Sequence, residues 1–453
     1  MRLLGIDLGT GSVKLVTLDA DGVERAVASE PYVLSSPQPG WAEIAPDAWW
    51  QALVRAAARL PAGEREQVEA IGFSGQMHGV VLIDAVGQPV RPALLWPDTR
   101  AVREAAAWPA AGLPDAPNPV APGMAGPLLR WLAAHEPDAL RAARWAVQPK
   151  DWLRIALGGD VAADPSDACA TALATPDGAW DSALIESLGL PAGVPLATGA
   201  ADTACAALGS GLSAAGDALL TTGSGGQIVV LADALPPARR GLHRYRAAAG
   251  GGYYTMAAMQ NVGLALEAVR GWLGYPGWAD AYDDAFAQPA SERLCFLPYL
   301  TGERSPWMNP DARGGWLGLG LGDTRGAMMR AAFEGVAFAL RAGLDAIRDA
   351  DPGTGVTTLR LAGGGSVDPR WRQLLADALG ASLNAIDCPN AATRGAALLA
   401  GVAIGHWRED ALHALAPGAS PVAVPGDDRM LATRHARFID LYARTDAWFT
   451  TGV

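Results

Sequence analysis

The chain has 453 residues, half of them hydrophobic and 18% charged, which is the balance of a globular protein with an ample core. Its 35 basic and 47 acidic residues give a net charge of −12 without any basic tract, which argues against a nucleic-acid-binding protein. The sequence contains no run of about 18 apolar residues and therefore predicts no membrane span. Its length suggests two large lobes or about three domains.

The first predicted element is a β-hairpin over residues 3–22, in which two apolar runs flank a short polar turn. The turn carries Gly9, Thr10, Gly11 and Ser12. Glycines let a backbone approach a ligand closely, and amide and hydroxyl donors suit phosphate oxygens. Asp7, at the end of the first strand, suits a hydrated Mg²⁺. The alternative is an ordinary tight turn that Asp7 merely caps.

The next apolar core, residues 68–84, predicts strands over 70–73 and 80–83. Between them lie Gln76, Met77 and His78, at strand ends where α/β proteins place ligands. The alternative is that Met77 fills the core and His78 is a structural histidine. After a further strand, Asp98 and Arg100 either reach the hydroxyls of a ligand or pair with each other at the surface.

A helix is predicted to begin at Pro149, and a short strand at 194–197 to lead through Gly199 into an alanine-rich helix. Asp202 opens that last helix. An aspartate at a helix start is usually an N-cap. The alternative is a catalytic carboxylate on a strand-to-helix turn.

The stretch DALLTTGSGGQIVVLAD repeats the opening pattern, with predicted strands over 218–220 and 228–231 and a turn over 221–226. One such hairpin opens each half, which indicates an internally duplicated chain whose two turns hold one polyphosphate. Further on, a strand is followed by three glycines and Ser366. That triple glycine either packs flat against a ring such as adenine or forms a plain turn.

Four scattered cysteines and six histidines form no metal-binding spacing. Free buried thiols fit a reducing cytoplasm. The apolar start reaches only to Asp7, which is too short for the apolar region of a signal peptide. We therefore expect a cytoplasmic protein.

Taken together, these segments resemble the FGGY family of carbohydrate kinases, within the actin/hexokinase superfamily. The matching pieces follow the order of the family along nearly the whole chain: DLGTGSVK (7–14), GQMHG (75–79), LLWPDTRA (94–101), PKDWLR (149–154), GAADTACAALGSG (199–211), TTGSGG (221–226), FLPYLTGERSP (296–306) and AGGGSVDPRWRQLLADALG (362–380). The QMHG piece resembles the members that phosphorylate D-xylulose.

The resemblance implies an α/β fold of two duplicated, actin/hexokinase-like (ribonuclease H-like) lobes with a cleft between them, over residues 1–212 and 213–453. It implies ATP and Mg²⁺ as cofactors, a sugar, D-xylulose, as the partner, and neither a nucleic acid nor a membrane. A homodimer stays open. The implied roles are a catalytic base at Asp202, Mg²⁺ binding at Asp7, sugar contacts at Gln76, Met77, His78, Asp98, Arg100 and Asp202, and nucleotide contacts at Gly9, Thr10, Gly11, Ser12, Lys14, Thr222, Gly223, Ser224, Gly364, Gly365 and Ser366.

The chain departs from the family pattern at three places, of which the first two concern the substrate more than the reaction. The segment after Trp180 is short, Pro97 replaces an asparagine, and Ser224-Gly225 replaces a Thr-Ser pair. A kinase for ribulose, glycerol or another polyol therefore remains an alternative. So does a nucleotide-gated binding protein that has lost catalysis. A P-loop kinase is disfavoured because no GxxxxGK[ST] segment is present.

Overall fold

A computed structural model describes residues 1–108, 118–162, 164–175, 200–426 and 429–450. Its two largest sheets, one of five strands and one of seven, form the centres of two lobes. The predicted strand at 194–197, Gly199 and the shortened segment after Trp180 lie outside the described residues.

The N-terminal lobe contains nine described strands and eight described helices. The strands are β1 (Arg2–Leu8), β2 (Ser12–Leu18), β3 (Glu24–Pro31), β4 (Glu43–Ile44), β5 (Val68–Gly75), β6 (Val81–Ile83), β7 (Ala93–Leu94), β8 (Trp145–Val147) and β9 (Ala200–Ala201). The helices are α1 (Pro46–Arg59), α2 (Ala62–Arg65), α3 (Val102–Ala106), α4 (Ala125–His135), α5 (Pro137–Ala142), α6 (Pro149–Ala156), α7 (Pro165–Ala168) and α8 (Asp202–Gly209).

The second half of the chain adds nine described strands and six described α-helices. The strands are β10 (Ala218–Thr222), β11 (Gly226–Ala232), β12 (His243–Arg246), β13 (Tyr253–Met259), β14 (Cys295–Leu297), β15 (Gly315–Leu317), β16 (Thr358–Ala362), β17 (Ser382–Ile386) and β18 (Ala419–Ala423). The helices are α9 (Gly263–Trp272), α10 (Trp278–Ala287), α11 (Arg325–Ala350), α12 (Pro369–Leu379), α13 (Ala391–Ala403) and α14 (Arg429–Thr450). Short 3₁₀ helices cover Pro352–Thr354 and Glu409–Leu415.

Five strands of each main sheet share one topology, and β12 and β18 extend the second sheet at its two edges. The strand orders are β3-β2-β1-β5-β9 and β12-β13-β11-β10-β16-β17-β18. In the first sheet, β3 pairs antiparallel with β2 and β2 with β1, and β5 and β9 run parallel to β1. In the second sheet, β13 pairs antiparallel with β11 and β11 with β10, and β16 and β17 run parallel to β10. Hence β1, β2, β3, β5 and β9 correspond to β10, β11, β13, β16 and β17. The duplication predicted from the two hairpins is confirmed.

The second hairpin has a tighter turn than the sequence suggested. Thr221 and Thr222 still belong to β10, and Gly226 already pairs in β11. Only residues 223–225 form the turn.

No described helix meets the length and hydropathy that a membrane crossing requires.

Helix α13 comes from the second half of the chain but packs on the sheet of the N-terminal lobe. A Cβ atom built on Gly5 of β1 would lie 1.9 Å from the carbonyl oxygen of Thr393. One built on Gly72 of β5 would lie 1.8 Å from the carbonyl oxygen of Ala396. Glycine therefore lets the helix backbone lie directly on the strands. The predicted boundary at 212/213 separates the two main sheets but does not separate α13 from the first one.

Candidate active site

A cleft of 840 Å³ is lined by residues of both lobes. Its walls include Thr10, Met77, His78, Asp98 and Asp202 from the N-terminal lobe, and Gly223, Gly225, His243, Tyr245 and Arg304 from the second lobe. The structure thus brings one residue of the first glycine turn, two of the second turn and Asp202 to one cleft. The binding roles of these residues remain predictions.

Asp202 is the first residue of helix α8, directly after strand β9. The residue at the N-cap is Ala201, and no side chain caps the helix. The Oδ1 atom of Asp202 instead accepts hydrogen bonds from the Thr203 N–H (2.6 Å) and the Thr203 hydroxyl (3.2 Å). Its Oδ2 atom accepts none from the described residues. The N-cap interpretation of Asp202 is therefore wrong, and one carboxylate oxygen is available to a ligand.

Burial and a second carboxylate tune the acidity of Asp202. Desolvation raises its pKa to about 6, and the negative charge of Asp7 acts in the same direction. Burial also raises the pKa of Asp7, opposed by a hydrogen bond from the Ser74 hydroxyl (2.8 Å) and by the charge of Lys14. Lys14 is the cross-strand partner of Asp7 in the hairpin. A carboxylate with a pKa near 6 suits a general base at neutral pH.

The carboxylate of Asp7 fits a divalent cation that is shared with a phosphate ligand. The described residues contain no group of three or more side chains that could hold a metal ion by themselves. Mg²⁺ in phosphoryl-transfer sites uses one or two carboxylates, with water and phosphate oxygens completing its shell. The donor set here matches that requirement.

The first turn reaches the cleft through Thr10, and its backbone is open at Gly11. The Gly9 N–H donates to the Ser12 carbonyl oxygen (3.0 Å), which closes the turn. A Cβ atom on Gly11 would meet no atom within 4 Å. The Thr10 hydroxyl accepts a hydrogen bond from the indole N–H of Trp96 (2.8 Å). The sequence did not single out Trp96, because only the fold brings it to this turn.

The second turn rests against the start of helix α9. The Gly223 N–H donates to the Gly225 carbonyl oxygen (2.8 Å). The Gly223 and Ser224 carbonyl oxygens accept from the amides of Gly263 and Leu264, both at 2.9 Å. Ser224 is exposed. The turn is thereby fixed from behind while its outer side remains accessible.

Thr222 and Ser366 were predicted as nucleotide contacts, but their hydroxyls lie 2.9 Å from each other and are buried. This pair joins strand β10 to the triple-glycine loop. Gly363 has a φ of +93°, and the amide of Gly365 donates to the Thr222 carbonyl oxygen (3.2 Å). Only Gly364 has open space around it. We therefore assign Thr222 and Ser366 a supporting role behind the loop, which is a correction of the sequence-based hypothesis.

His78 lies at the centre of a γ-turn, where the Gly79 N–H donates to the Met77 carbonyl oxygen (3.0 Å). Its φ is +76°, a strained value for a residue with a side chain. Its Nδ1 lies 2.6 Å from the Ala170 carbonyl oxygen, so Nδ1 carries the proton. Burial lowers the pKa of His78 to about 4. The ring is neutral, and its Nε2 can accept a hydrogen bond from a hydroxyl.

Of the neighbouring predicted sugar contacts, Met77 lines the cleft and Gln76 does not. Met77 packs in a buried apolar cluster, as the core interpretation expected, and it also lines the cleft, where its contact with a sugar remains a prediction. The side-chain amide of Gln76 is buried, and its Nε2 donates to the Gly9 carbonyl oxygen (3.2 Å). Gln76 therefore supports the first turn.

The prediction that Arg100 reaches a sugar is not supported, because its side chain is only 1% exposed and forms ion pairs with Asp98 and Glu43. Its guanidinium donates to both carboxylate oxygens of Asp98, at 2.8 and 2.9 Å, and to Glu43 at 2.6 Å. It also stacks on Trp41, with its central carbon 3.7 Å from the ring centroid. Asp98 further accepts from the Ala42 N–H (2.7 Å). The two residues therefore pair with each other, but in the interior and not at the surface, and a sugar contact of Asp98, which lines the cleft, remains a prediction.

The sequence hypotheses missed Arg304, a half-buried cation of the second lobe that lines the cleft. Its guanidinium lies 3.5 Å from Nε2 of His243, and no described carboxylate forms an ion pair with it. Burial together with the Arg304 charge lowers the pKa of His243 to about 3, so that ring is neutral. An unpaired cation in a cleft suits an anionic or hydroxyl-rich ligand. The GERSP segment was visible in the sequence, but its orientation toward the cleft was not.

Comparison with known proteins gives the family. Residues 2–193 match the N-terminal domain, and residues 229–404 the C-terminal domain, of the "FGGY family of carbohydrate kinases". The xylulose kinase of Escherichia coli (strain K12) is 32% identical over 84% of this chain and 85% of its own length. The xylulose kinase of Bacillus subtilis (strain 168) is 28% identical over 90% of this chain and 89% of its own.

Solved structures agree with the fold. A "xyloylose kinase" from Brucella ovis superposes with a TM-score of 0.93 at 31% identity, covering 99% of this chain and all of that one. The xylulose kinase of Rhodospirillum rubrum superposes with a TM-score of 0.87 at 26% identity and the same coverage. The two-lobed fold expected from the sequence is confirmed.

Proposed function

We propose a function from one premise: this chain belongs to the FGGY family of carbohydrate kinases. The reaction that we propose is transfer of the γ-phosphoryl group of ATP to D-xylulose, which gives D-xylulose 5-phosphate. The relatives named xylulose kinase, up to 32% identical and similar over most of their length, support this substrate. So does the Met77-His78 segment at the sugar side of the cleft.

The observation that carries the proposal is the position of Asp202. Its carboxylate lines the same cleft as the two glycine turns, its pKa is raised to about 6, and one of its oxygens has no described donor. A base in this position accepts the proton of the attacking sugar hydroxyl. General-base catalysis of this kind contributes about 10²–10⁴-fold to the rate, or about 3–5 kcal/mol.

The other cleft residues bind and orient the substrates, which is the main task of a protein in phosphoryl transfer. The Nε2 atom of the neutral His78 accepts a hydrogen bond from a sugar hydroxyl, and Met77 forms an apolar wall beside it. Thr10 and Ser224 offer amide and hydroxyl donors to the phosphates, and Gly223 lets the backbone of the second turn approach them closely. Arg304 adds positive charge from the opposite lobe.

Asp7 is the residue that we assign to Mg²⁺. The ion, when bound with ATP, neutralises phosphate oxygens and lets an acidic cleft accept a polyanion. We place the enzyme in the cytoplasm, because the four cysteines are all free and three of them are buried. A homodimer remains a prediction.

A coupled assay of ADP release tests the proposal across D-xylulose, ribulose, glycerol and related polyols. We expect the highest kcat/KM on D-xylulose. The Asp202→Asn variant is the matched control, because it keeps the shape of the side chain and removes the base. It should fold and bind ATP, and lose roughly 10²–10⁴-fold in turnover.

Faster turnover on another sugar would overturn the substrate. Near-normal turnover of Asp202→Asn would remove Asp202 from the mechanism. Nucleotide binding without any sugar-stimulated ATP consumption would instead indicate a binding protein.

A further inference from the structure

We propose that residues 164–171, named the bridge segment here, position the sugar contact His78 and the base Asp202 together, with Lys150 as their common anchor. The proposal rests on the function inferred above, since it concerns the geometry of the same reaction. None of these anchoring residues lines the cleft. They are positioning residues, which act through His78 and Asp202.

The anchor is a buried ammonium group surrounded by carboxylates. Nζ of Lys150 lies 2.9 Å from Asp151, 3.1 Å from Asp164 and 2.8 Å from Asp167. The Lys150 side chain is 0% exposed. Two of its three partners, Asp164 and Asp167, belong to the bridge segment.

One end of the bridge segment holds the strand that carries Asp202. The Asp164 carboxylate caps helix α7 by accepting from the amides of Ser166 (2.8 Å) and Asp167 (3.1 Å). The Ser166 hydroxyl donates to that same carboxylate and accepts the Ala201 N–H at 3.0 Å. Ala201 immediately precedes Asp202, so this chain of hydrogen bonds ends at the catalytic turn.

The other end of the bridge segment holds His78. The Ala170 carbonyl oxygen accepts the His78 Nδ1–H at 2.6 Å, which fixes the tautomer and direction of the ring. The Ala170 amide itself donates to the Asp167 carbonyl oxygen at 2.9 Å. Ser166 and Ala170 are therefore parts of one compact turn of the chain, and they cannot move independently.

Stability alone is a weak reason for such a cluster. Burying three carboxylates and one ammonium carries a desolvation penalty, and apolar replacements of buried ion pairs are often equally stable. An ion cluster does impose directions and distances that apolar packing would not. Here those directions are passed to both functional side chains, and that link supports a positioning role.

The test compares Ser166→Ala with Ser166→Thr and with Thr324→Ala. Thr324 is matched because its hydroxyl also accepts a backbone N–H, that of Ala327 at 3.1 Å, at the start of helix α11 and outside the cleft. We expect Ser166→Ala to lower kcat roughly 10- to 100-fold with little change in the KM for ATP, because a small displacement of the base is enough for such a loss. Ser166→Thr keeps the hydroxyl and should stay within a few-fold of wild type.

Thr324→Ala should lose stability, as expected for a lost helix cap, and keep the wild-type kcat. The bridge is overturned if Ser166→Ala keeps wild-type kcat, or if Ser166→Ala and Thr324→Ala lose turnover to the same extent. Lys150→Met is a second variant, and it should raise the sugar KM as well as lower kcat because it releases both ends.

The substrate is settled separately by wild-type turnover across the sugar panel. If another sugar proves to be the acceptor, the same variants measured on that sugar still test the bridge. A wrong substrate and a wrong positioning role are thus distinguishable.

Discussion

Asp202 is chemically an ordinary aspartate whose surroundings change its acidity. Its carboxylate is half-buried at the start of a helix, and the nearby Asp7 adds a second negative charge. Both effects disfavour its ionised form and raise its pKa to about 6. The pKa of His78, the side chain that we propose as a sugar contact, is shifted in the opposite direction, to about 4. The two groups therefore titrate in different pH ranges.

This separation predicts the pH dependence of catalysis. Only the ionised form of Asp202 can accept a proton, so kcat/KM for the sugar should be constant above about pH 7 and fall below about pH 6. The fall should approach tenfold per pH unit, with His78 neutral throughout. Initial rates measured between pH 5 and 9 would show it, with circular dichroism at each pH confirming the fold. A profile that stays flat to pH 5 would contradict a base with a raised pKa.

Helix α13 shows how an element can be specified by its contact surface. Its sequence, AATRGAALLAGVA, is rich in small residues, and glycines of β1 and β5 face its backbone. A carbonyl oxygen of a helix cannot retreat without breaking its hydrogen bonds. Even one methyl group in this contact therefore has no room.

Gly5→Ala tests this contact. Its Cβ would lie 1.9 Å from the Thr393 carbonyl oxygen, and overpacking of this kind typically destabilises a protein by about 1–3 kcal/mol. Gly271→Ala is the control, because Gly271 lies in helix α9 and a methyl group there would meet no atom within 4 Å. The control should be neutral or stabilising by up to about 1 kcal/mol. Urea unfolding measures both free energies, and equal stability of the two variants would contradict the contact.

On the scale of the whole molecule, the two halves of the chain share a buried apolar cluster as well as the cleft. Leu398 of α13 and Leu412 of the following 3₁₀ helix share a buried cluster with Leu3, Val16 and Leu18 of the first sheet. The C-terminal half of the chain thus completes the core of the N-terminal lobe. Two lobes that close on each other would also exclude water, which otherwise competes with the sugar as the acceptor.

This arrangement predicts that residues 1–212 do not fold by themselves. Without α13, the apolar cluster and the glycine face of the sheet are exposed to water, and the hydrophobic stabilisation of about 25 cal/mol per Å² of that surface is lost. Thermal unfolding followed by circular dichroism should show no cooperative transition. Fusing residues 387–416 through a flexible linker should restore one. A cooperative transition in the unfused fragment would show that α13 is dispensable.

The sequence by itself determined the features that depend on neighbouring residues. Both hairpins, the glycine turns, the duplication and the helix opened by Asp202 follow from local apolar periodicity and turn chemistry. The family resemblance added the two-lobed fold and the expected reaction. These predictions held because strand, turn and helix signals act over a few residues.

Only the tertiary structure decided what depends on residues far apart in the chain. It paired Asp98 with Arg100, paired Thr222 with Ser366 across 144 positions, and oriented Arg304 toward the cleft. It also placed α13 on the opposite lobe and tied His78 to Asp202 through residues 164–171. A polar side chain serves a ligand or its own neighbours according to which groups the fold brings within hydrogen-bond distance. Sequence spacing does not contain that distance.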